Sequence, residues 1–484
     1  MRYLYPLLFL LVILVSAVYT DNGFWVYGLL GLTLFMLLQK IGKGVALREM
    51  IAVYSCIIYL LMPLMGYRLY TVDNALARLW VKYMPVPQAT YFGFVLPAVT
   101  AFILGMFMPS FSSSEEPDGS VNMSRVLKGT RETLKANNPW KQFMILGLFG
   151  YFFSSVINIA ALAFFMYSFY LLLFTALLCI YFSPGLKYKK HLLGFIILLI
   201  LYQAIQSGMF TVFVYMGVVI GSIIFIGSKI AFWKKMIMTV VAVLLILTLQ
   251  VTKGTFRRQI WGADYQGSKI GLFTDMMQRN LGNYESLFDQ KAFFPLYARM
   301  NQGYNTGLVM RRIPAVQDYD NGQSILLTIA SAIMPRVLWQ DKLQSGGAYN
   351  MKHFAGMKIA GWATNIGPVG EAYGNFGVTG GIIYMFLFGL FIRFAFFKVI
   401  KLSAKYPLLI FWIPVLFFEL SYSMENDTLQ ALNALLKGAV FAWLAYKVAP
   451  QLFGARKKAV NNRKQTDEKS PHLRDNRPGW SLPG

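Results

Sequence analysis

Met236-Ile237-Met238-Thr239-Val240-Val241-Ala242-Val243-Leu244-Leu245-Ile246-Leu247-Thr248-Leu249-Gln250-Val251 runs without a single charge, and at Thr252 the character of the chain changes. A helix needs about 20 apolar residues to cross the hydrocarbon core of a bilayer. Windows of that kind precede this one almost from the first residue, and they resume after Thr379. They predict spans near 3–20, 23–39, 49–66, 89–108, 142–158, 162–182, 191–207, 209–228, 236–251, 380–400, 407–424 and 430–449, about twelve in all. The pair within 142–182 can also be read as one long hairpin. The expected architecture is all-α: a polytopic integral membrane protein whose polar stretch Thr252–Thr379 forms one large connection.

Composition agrees. Hydrophobic residues make up 56% of the 484 and charged residues only 14%, too apolar a balance for a water-soluble globule. Arg2 gives the first apolar segment a positive start, yet Leu7–Val18 lacks a convincing small-residue cleavage site, so it is expected to stay as the first span. Cys56 and Cys179 both fall in predicted spans, which excludes a disulfide framework and a cysteine metal cluster.

The net charge of +24 reads as topology rather than as nucleic-acid binding. Lys and Arg collect in alternate connections, at Lys40/Lys43/Arg48, Arg125–Lys141, Lys187–Lys190, Lys229–Lys235 and Lys398–Lys405, and again in the tail from Arg456. The positive-inside rule puts all of these, with both termini, in the cytoplasm. Only 67–88, with Arg68, Arg78 and Lys82, runs against that assignment. Thr252–Thr379 then lies outside. The expected organisation is a 1–251 membrane domain of about nine spans with a cytoplasmic loop at 109–141, an extracytoplasmic 252–379, C-terminal spans over 380–450, and a basic, disordered cytoplasmic tail over 451–484. In the 109–141 loop, Ser112–Gly119 reads as loop and Met123–Ala136 as a helix. The tail reads most simply as an anchor near anionic lipid.

An outward-facing site has no ATP, and the chain carries no Walker or Rossmann fingerprint, so any synthesis there must draw on an activated substrate such as a lipid-linked diphosphate. Thr252–Thr379 carries an excess of about five positive charges. Arginine suits such a substrate because its planar fork grips phosphate oxygens in pairs. Arg299 and Arg336 stand out because both sit among apolar or aromatic neighbours, where an unpaired cation is costly. The bland alternative for each is a solvated or carboxylate-paired residue. Before Arg336, Ser324–Met334 is too short to span and too apolar for a wet loop. It reads as an interfacial helix ended by Pro335, which would set Arg336 and Lys342 at headgroup level. Trp339 serves equally as an interface anchor.

Gly367–Gly380 is glycine-dense and leads into a span. Glu371 lies at its mouth, placed either as a general base or as a helix-start carboxylate favoured by the dipole. Glu419 falls inside the 407–424 span with Glu425 and Asp427 just beyond it, and pairing with an inward-facing arginine competes with a functional role. His353, the one histidine in the outer stretch, cannot build a metal site alone.

Three pieces of this stretch, Arg299-Met300-Asn301-Gln302, Pro335-Arg336-Val337-Leu338-Trp339-Gln340-Asp341-Lys342 and Gly370-Glu371-Ala372-Tyr373-Gly374-Asn375-Phe376-Gly377, together with many spans and a large late outer loop, resemble the O-antigen and exopolysaccharide polymerases of the Wzy type. The motifs cover only 20 residues. The resemblance implies a GT-C-like, metal-independent glycosyltransferase of the bacterial inner membrane. It would polymerise undecaprenyl-diphosphate-linked oligosaccharide units with no cofactor, no nucleic acid, and a chain-length regulator as a possible partner. Under it Arg299 and Arg336 would hold diphosphates with Arg312 and Lys342, and Glu371 would be the base. Asn301, Gln302, Trp339, Trp362, Tyr373 and Asn375 would bind or stack on sugars. Trp261, Tyr265, Tyr284, Tyr304, Tyr319 and Tyr349 also suit stacking, though packing accounts for most such rings. An O-antigen ligase, which resembles this plan and places arginines and a histidine in its outer loop, is the nearest rival. A lipid-linked oligosaccharide flippase or polysaccharide exporter would instead line its spans with cations, and a structural subunit would be indifferent to loss of Arg299 or Arg336.

Overall fold

The computed structural model describes residues 8–12, 22–108, 123–154, 160–207, 210–262, 265–282, 289–334, 336, 338–359 and 364–455. These form helices throughout, with no strand among the described residues. Eight of the described helices are long and apolar enough to cross a membrane: Asn22–Lys40, Leu47–Arg68, Gln88–Phe107, Phe164–Phe182, Lys189–Gln206, Phe232–Lys253, Gly367–Lys405 and Thr428–Val448. Each coincides with an apolar window of the sequence. The window near 3–20 lies mostly outside the described residues, as do Ser112–Gly119 and the tail from Arg456.

The remaining windows form shorter helices, Trp140–Phe153 and Thr211–Ile224, and a broken one. The expected span at 407–424 is a 3-10 turn, Pro407–Trp412, followed by the helix Ile413–Ser421. With a rise of about 2.0 Å per residue in the 3-10 turn and 1.5 Å in the helix, the whole segment covers about 25 Å. Leu408 through Phe418 are buried throughout, so this segment is core rather than a lipid-facing wall. Thr175 Oγ1 donates to the Phe411 carbonyl at 2.9 Å, covering a backbone acceptor that the 3-10 geometry leaves inside.

Helix ends do not follow the change in hydropathy. The helix Phe232–Gly262 runs on past Val251, and Gly367–Lys405 starts well before Gly380. A helix satisfies its own backbone, so it can leave the hydrocarbon without ending. At 31 residues the first of these rises about 46 Å, against a hydrocarbon core of about 30 Å. The second bends at Gly377, whose φ of 66° lies in the left-handed region that a Cβ disfavours.

Glycine sets the closest helix crossing. A Cβ on Gly105 would stand 2.2 Å from the Phe386 carbonyl oxygen, and one on Gly389 would stand 2.2 Å from that of Phe102. The helices Gln88–Phe107 and Gly367–Lys405 therefore meet backbone to backbone, the approach small residues permit where lipid offers no hydrophobic drive. Gly150 plays the same part between Trp140–Phe153 and the helix Ala160–Phe182. The helix Met123–Ala136 forms over the residues its pattern predicts. It buries Val126, Leu127 and Leu134, and Thr130 Oγ1 donates to the Pro407 carbonyl at 2.9 Å.

Gly389→Leu should force these two helices apart and destabilise the protein by about 1–3 kcal/mol or more. Leu387→Ala, on an exposed face two residues away, should leave the thermal midpoint in detergent nearly unchanged. Equal effects at the two positions would refute the backbone-contact account.

Candidate functional site

The polar stretch between the two long helices is mostly helical, and part of it enters the bundle. Helices Gln290–Met300 and Gln302–Arg312 meet at Asn301, whose side chain accepts from the Tyr304 N–H at 3.1 Å and caps the second helix. Gln302 through Met310 are all buried. Tyr304, Leu308, Val309 and Met310 join the apolar core, and the polar side chains are matched by hydrogen bonds. Gln302 Nε2 and Asn305 Nδ2 both donate to the Asn365 carbonyl, at 2.6 and 2.7 Å, and Thr306 Oγ1 donates to that of Ile366 at 3.4 Å. Asn301 Nδ2 donates to the Tyr297 hydroxyl at 3.0 Å. Asn301 and Gln302, expected to meet sugars, thus hold backbone together inside the protein.

The same holds along the glycine-rich segment. Asn375, fully buried, donates to the Glu371 carbonyl and accepts from Ser324 Oγ at 2.8 Å. Tyr373 packs edge-on against Phe94, with ring centroids 5.0 Å apart. Glu371 is 2% exposed. Its Oε1 accepts from Asn350 Nδ2 at 2.7 Å, and both oxygens face the Thr428 N–H at 3.2 and 3.3 Å. Next to it Asp427 caps the last helix through Gln430 N at 2.6 Å and accepts from Gly346 N and Gly347 N, both at 3.1 Å. Burial pushes the Asp427 carboxyl above its ordinary range, against the pull of these donors. Two buried carboxylates therefore tie the segment 346–350, the start of Gly367–Lys405 and the start of Thr428–Val448 into one joint.

Arg299 stands at a second centre. Its NH1 and NH2 donate to Glu425 Oε1 and Oε2 at 3.1 and 3.2 Å, a two-pronged pair. The Glu425 carboxylate beside it holds the guanidinium still further above its usual range. The Tyr54 hydroxyl donates to the same Oε1. Tyr54 lies one turn before Ile57–Leu61, a π-helical turn inside the apolar helix Leu47–Arg68. Such turns add a residue and re-aim the side chains around them. Sequence pattern signalled a carboxylate near a membrane arginine, but it gave neither the partner nor Tyr54.

Arg336 and Lys342 form a third centre. The helix Gln323–Ile333 is reversed from the usual amphipathic sense: Ser324, Thr328 and Ser331 are buried, while Leu326, Ile329 and Ile333 face outward. It packs on the last helix, and its Ser324 hydroxyl donates to Asn375 of Gly367–Lys405. Lys342 Nζ donates to the Ser331 and Met334 carbonyls at 2.7 and 2.5 Å, satisfying acceptors at the helix C-terminus. Burial, then the neighbouring Arg336, pushes its ammonium below the usual range. Arg336 is exposed, and Lys437 of the last helix is within electrostatic reach of both. Trp339 is half-buried. A cleft of about 430 Å³ runs from Gln340 and Lys342 to Ser345 and Tyr349. Behind Tyr349, whose ring stacks on His353 at 5.3 Å, His353 Nε2 sits 2.8 Å from Asp320 Oδ2. Arg312 Nε reaches Gln317 at 3.5 Å, apart from both arginine centres. Trp362 lies outside the described residues, as do the side chains of Arg257, Arg258 and Trp261. No group of three or more His, Cys, Asp or Glu able to hold a metal occurs among the described residues.

Fold and site together define an all-helical protein with several helices long and apolar enough to cross a membrane, and with a polar helical connection folded onto them. The chain belongs to the family of a domain of unknown function, DUF8712, whose family model matches residues 120–420. That match includes all three centres apart from Tyr54, Glu425, Asp427 and the last helix. No curated protein and no solved structure matches the chain.

Glu371→Ala should strand the Thr428 N–H and Asn350 Nδ2, at about 1–3 kcal/mol for each orphaned donor. A fall of several degrees in the detergent thermal midpoint, larger for Ala than for Gln, is the expected result. An unshifted midpoint would show that the joint does not depend on this carboxylate.

Proposed function

We propose that this protein polymerises oligosaccharide repeat units carried on undecaprenyl diphosphate at the outer leaflet of a bacterial inner membrane. The observation that carries the reading is the Gln323–Ile333 helix. It turns an apolar face outward and ends at Arg336 and Lys342, which suits a substrate with a long apolar tail and a diphosphate head. The cleft beside Lys342, with Tyr349 in its wall, has room for sugar beyond that head. In this reading about twelve spans place both termini in the cytoplasm and the 252–379 connection outside. Because no nucleotide is available there, the donor's own diphosphate linkage supplies the driving force.

Chemically, the reaction is a glycosyl transfer: a hydroxyl of one carrier-linked unit attacks the anomeric carbon of another, and lipid diphosphate leaves. Charge develops on the leaving oxygen, and cations preorganised around it stabilise the transition state more than the ground state. Arg336 and Lys342 take that role at the cleft, and Arg299 at its own centre beside Glu425. Glu371, closed in and fully engaged, supports the site by holding its joint. No metal enters the scheme. One observation favours the ligase alternative: the His353–Asp320 pair offers an oriented imidazole in the outer stretch.

The test is a deletion strain complemented with wild type, Arg336→Ala or Lys342→Met at matched membrane levels, with surface and lipid-linked glycan resolved by size. Polymerase function predicts single repeat units in the deletion and a loss of about 100-fold or more in long chains for Arg336→Ala. Long chains retained on the carrier would establish the ligase reading, and units held facing the cytoplasm a transporter.

A further inference from the structure

Three separate elements converge on the turn that carries Glu425. It sits in the turn between Ile413–Ser421 and Thr428–Val448, facing Arg299 from Gln290–Met300 and Tyr54 from Leu47–Arg68. Tyr215, from the helix Thr211–Ile224, meets Tyr54 edge-on at 5.3 Å and stacks on Tyr422 at 5.4 Å with the rings 13° apart. Tyr54, Tyr215 and Tyr422 are all half-buried, so the aromatic cluster beside Glu425 keeps an open side. The ion pair is lopsided in the same sense: the Arg299 side chain is 58% exposed and that of Glu425 only 12%.

That asymmetry is what distinguishes Glu425 from the other carboxylates nearby. Glu371 and Asp427 are 2% exposed and bound by backbone N–H groups that cannot leave. Glu419 accepts from Tyr422 and Gln430 at 2.6 and 2.9 Å. Glu425 is held by a flexible arginine and a phenol, partners that an incoming anion can draw away. Two of the five guanidinium donors engage Glu425, and the exposed side of Arg299 faces outward.

We propose that Glu425 is the proton acceptor of the transfer, released for that task when the donor's diphosphate takes over the Arg299 fork. The inference rests on the glycosyl-transfer reading above. Donor binding would thus itself open the Glu425 carboxylate, otherwise closed by the Arg299 fork, to a new partner. The acceptor sugar lies against Tyr54, Tyr215 and Tyr422, with its attacking hydroxyl toward Glu425. The hydroxyl oxygen bonds to the anomeric carbon as its proton passes to the Glu425 carboxylate. The bond from that carbon to the diphosphate oxygen breaks, its electron pair leaves on lipid diphosphate, and Arg299 meets the new charge. Glu425 then returns the proton to water.

Two measurements on the full chain test this. In the deletion strain, Glu425→Gln at wild-type membrane level should cut long-chain glycan by about 100-fold, the usual scale for removing a general base. The charge-swapped double variant Arg299→Glu/Glu425→Arg should assemble yet remain inactive. A wild-type ladder from either would overturn the proposal, the second by showing the pair to be purely structural. Independently of glycan, farnesyl diphosphate titrated into the detergent-purified protein should bind about 10-fold tighter to Glu425→Gln, because the competing carboxylate is gone, and much more weakly to Arg299→Ala. Equal affinity for wild type and Glu425→Gln would refute the exchange. If the deletion strain keeps its ladder, the polymerase reading and Glu425 as its base fall together. If the ladder is lost but Glu425→Gln keeps it, only the Glu425 assignment falls.

Discussion

Everything at the polar end of the molecule hangs on two buried carboxylates, Glu371 and Asp427, that sit against one helix start. Burying two carboxyl groups side by side is costly, and the structure offsets it with donors that have nowhere else to go: Thr428 N, Gln430 N, Gly346 N, Gly347 N and Asn350 Nδ2. Hydrogen bonds to charged groups contribute roughly 1.5–3 kcal/mol each, and their removal strands the partner. Because Asp427 fixes the first turn of the last helix, it also fixes Glu425 two residues earlier, and through it the pose of Arg299.

The bundle beneath is held differently. Glycines let helix backbones touch where side chains would separate them, as at Gly105 and Gly389. Aromatic rings fill what remains, with Trp412 stacked on Phe453 at 4.4 Å. The buried polar helix Gln302–Arg312 bridges the two regimes. Its amides bond to the Asn365 backbone and its Thr306 hydroxyl to that of Ile366, so matched hydrogen bonds hold its polar side chains inside while Tyr304, Leu308, Val309 and Met310 join the apolar core.

How far the sequence could be read follows from these forces. The long apolar helices were legible because crossing lipid demands long apolar runs, and the helix Met123–Ala136 was legible from its amphipathic period. The broken segment over Pro407–Ser421 was not. An apolar run reads alike whether lipid or protein surrounds it, and only packing decided that Leu408–Phe418 became core. At the candidate site, composition singled out Arg299, Arg336, Lys342 and Glu371. It could not rank them, because a cation among apolar neighbours looks the same exposed, like Arg336, or engaged with helix-end carbonyls, like Lys342.

By itself the sequence determined the all-helical class, the places where the chain is apolar enough to cross a membrane, and the one connection in which polar chemistry is concentrated. These depend on solvation and backbone hydrogen bonding, which act locally and leave a period or a composition behind. Only the tertiary structure decided that Asn301, Gln302 and Asn375 face inward, and that Arg299 finds Glu425 and Tyr54 while His353 finds Asp320. Those pairings join residues dozens to hundreds of positions apart, and a hydrogen bond between distant partners leaves no periodic trace in either segment.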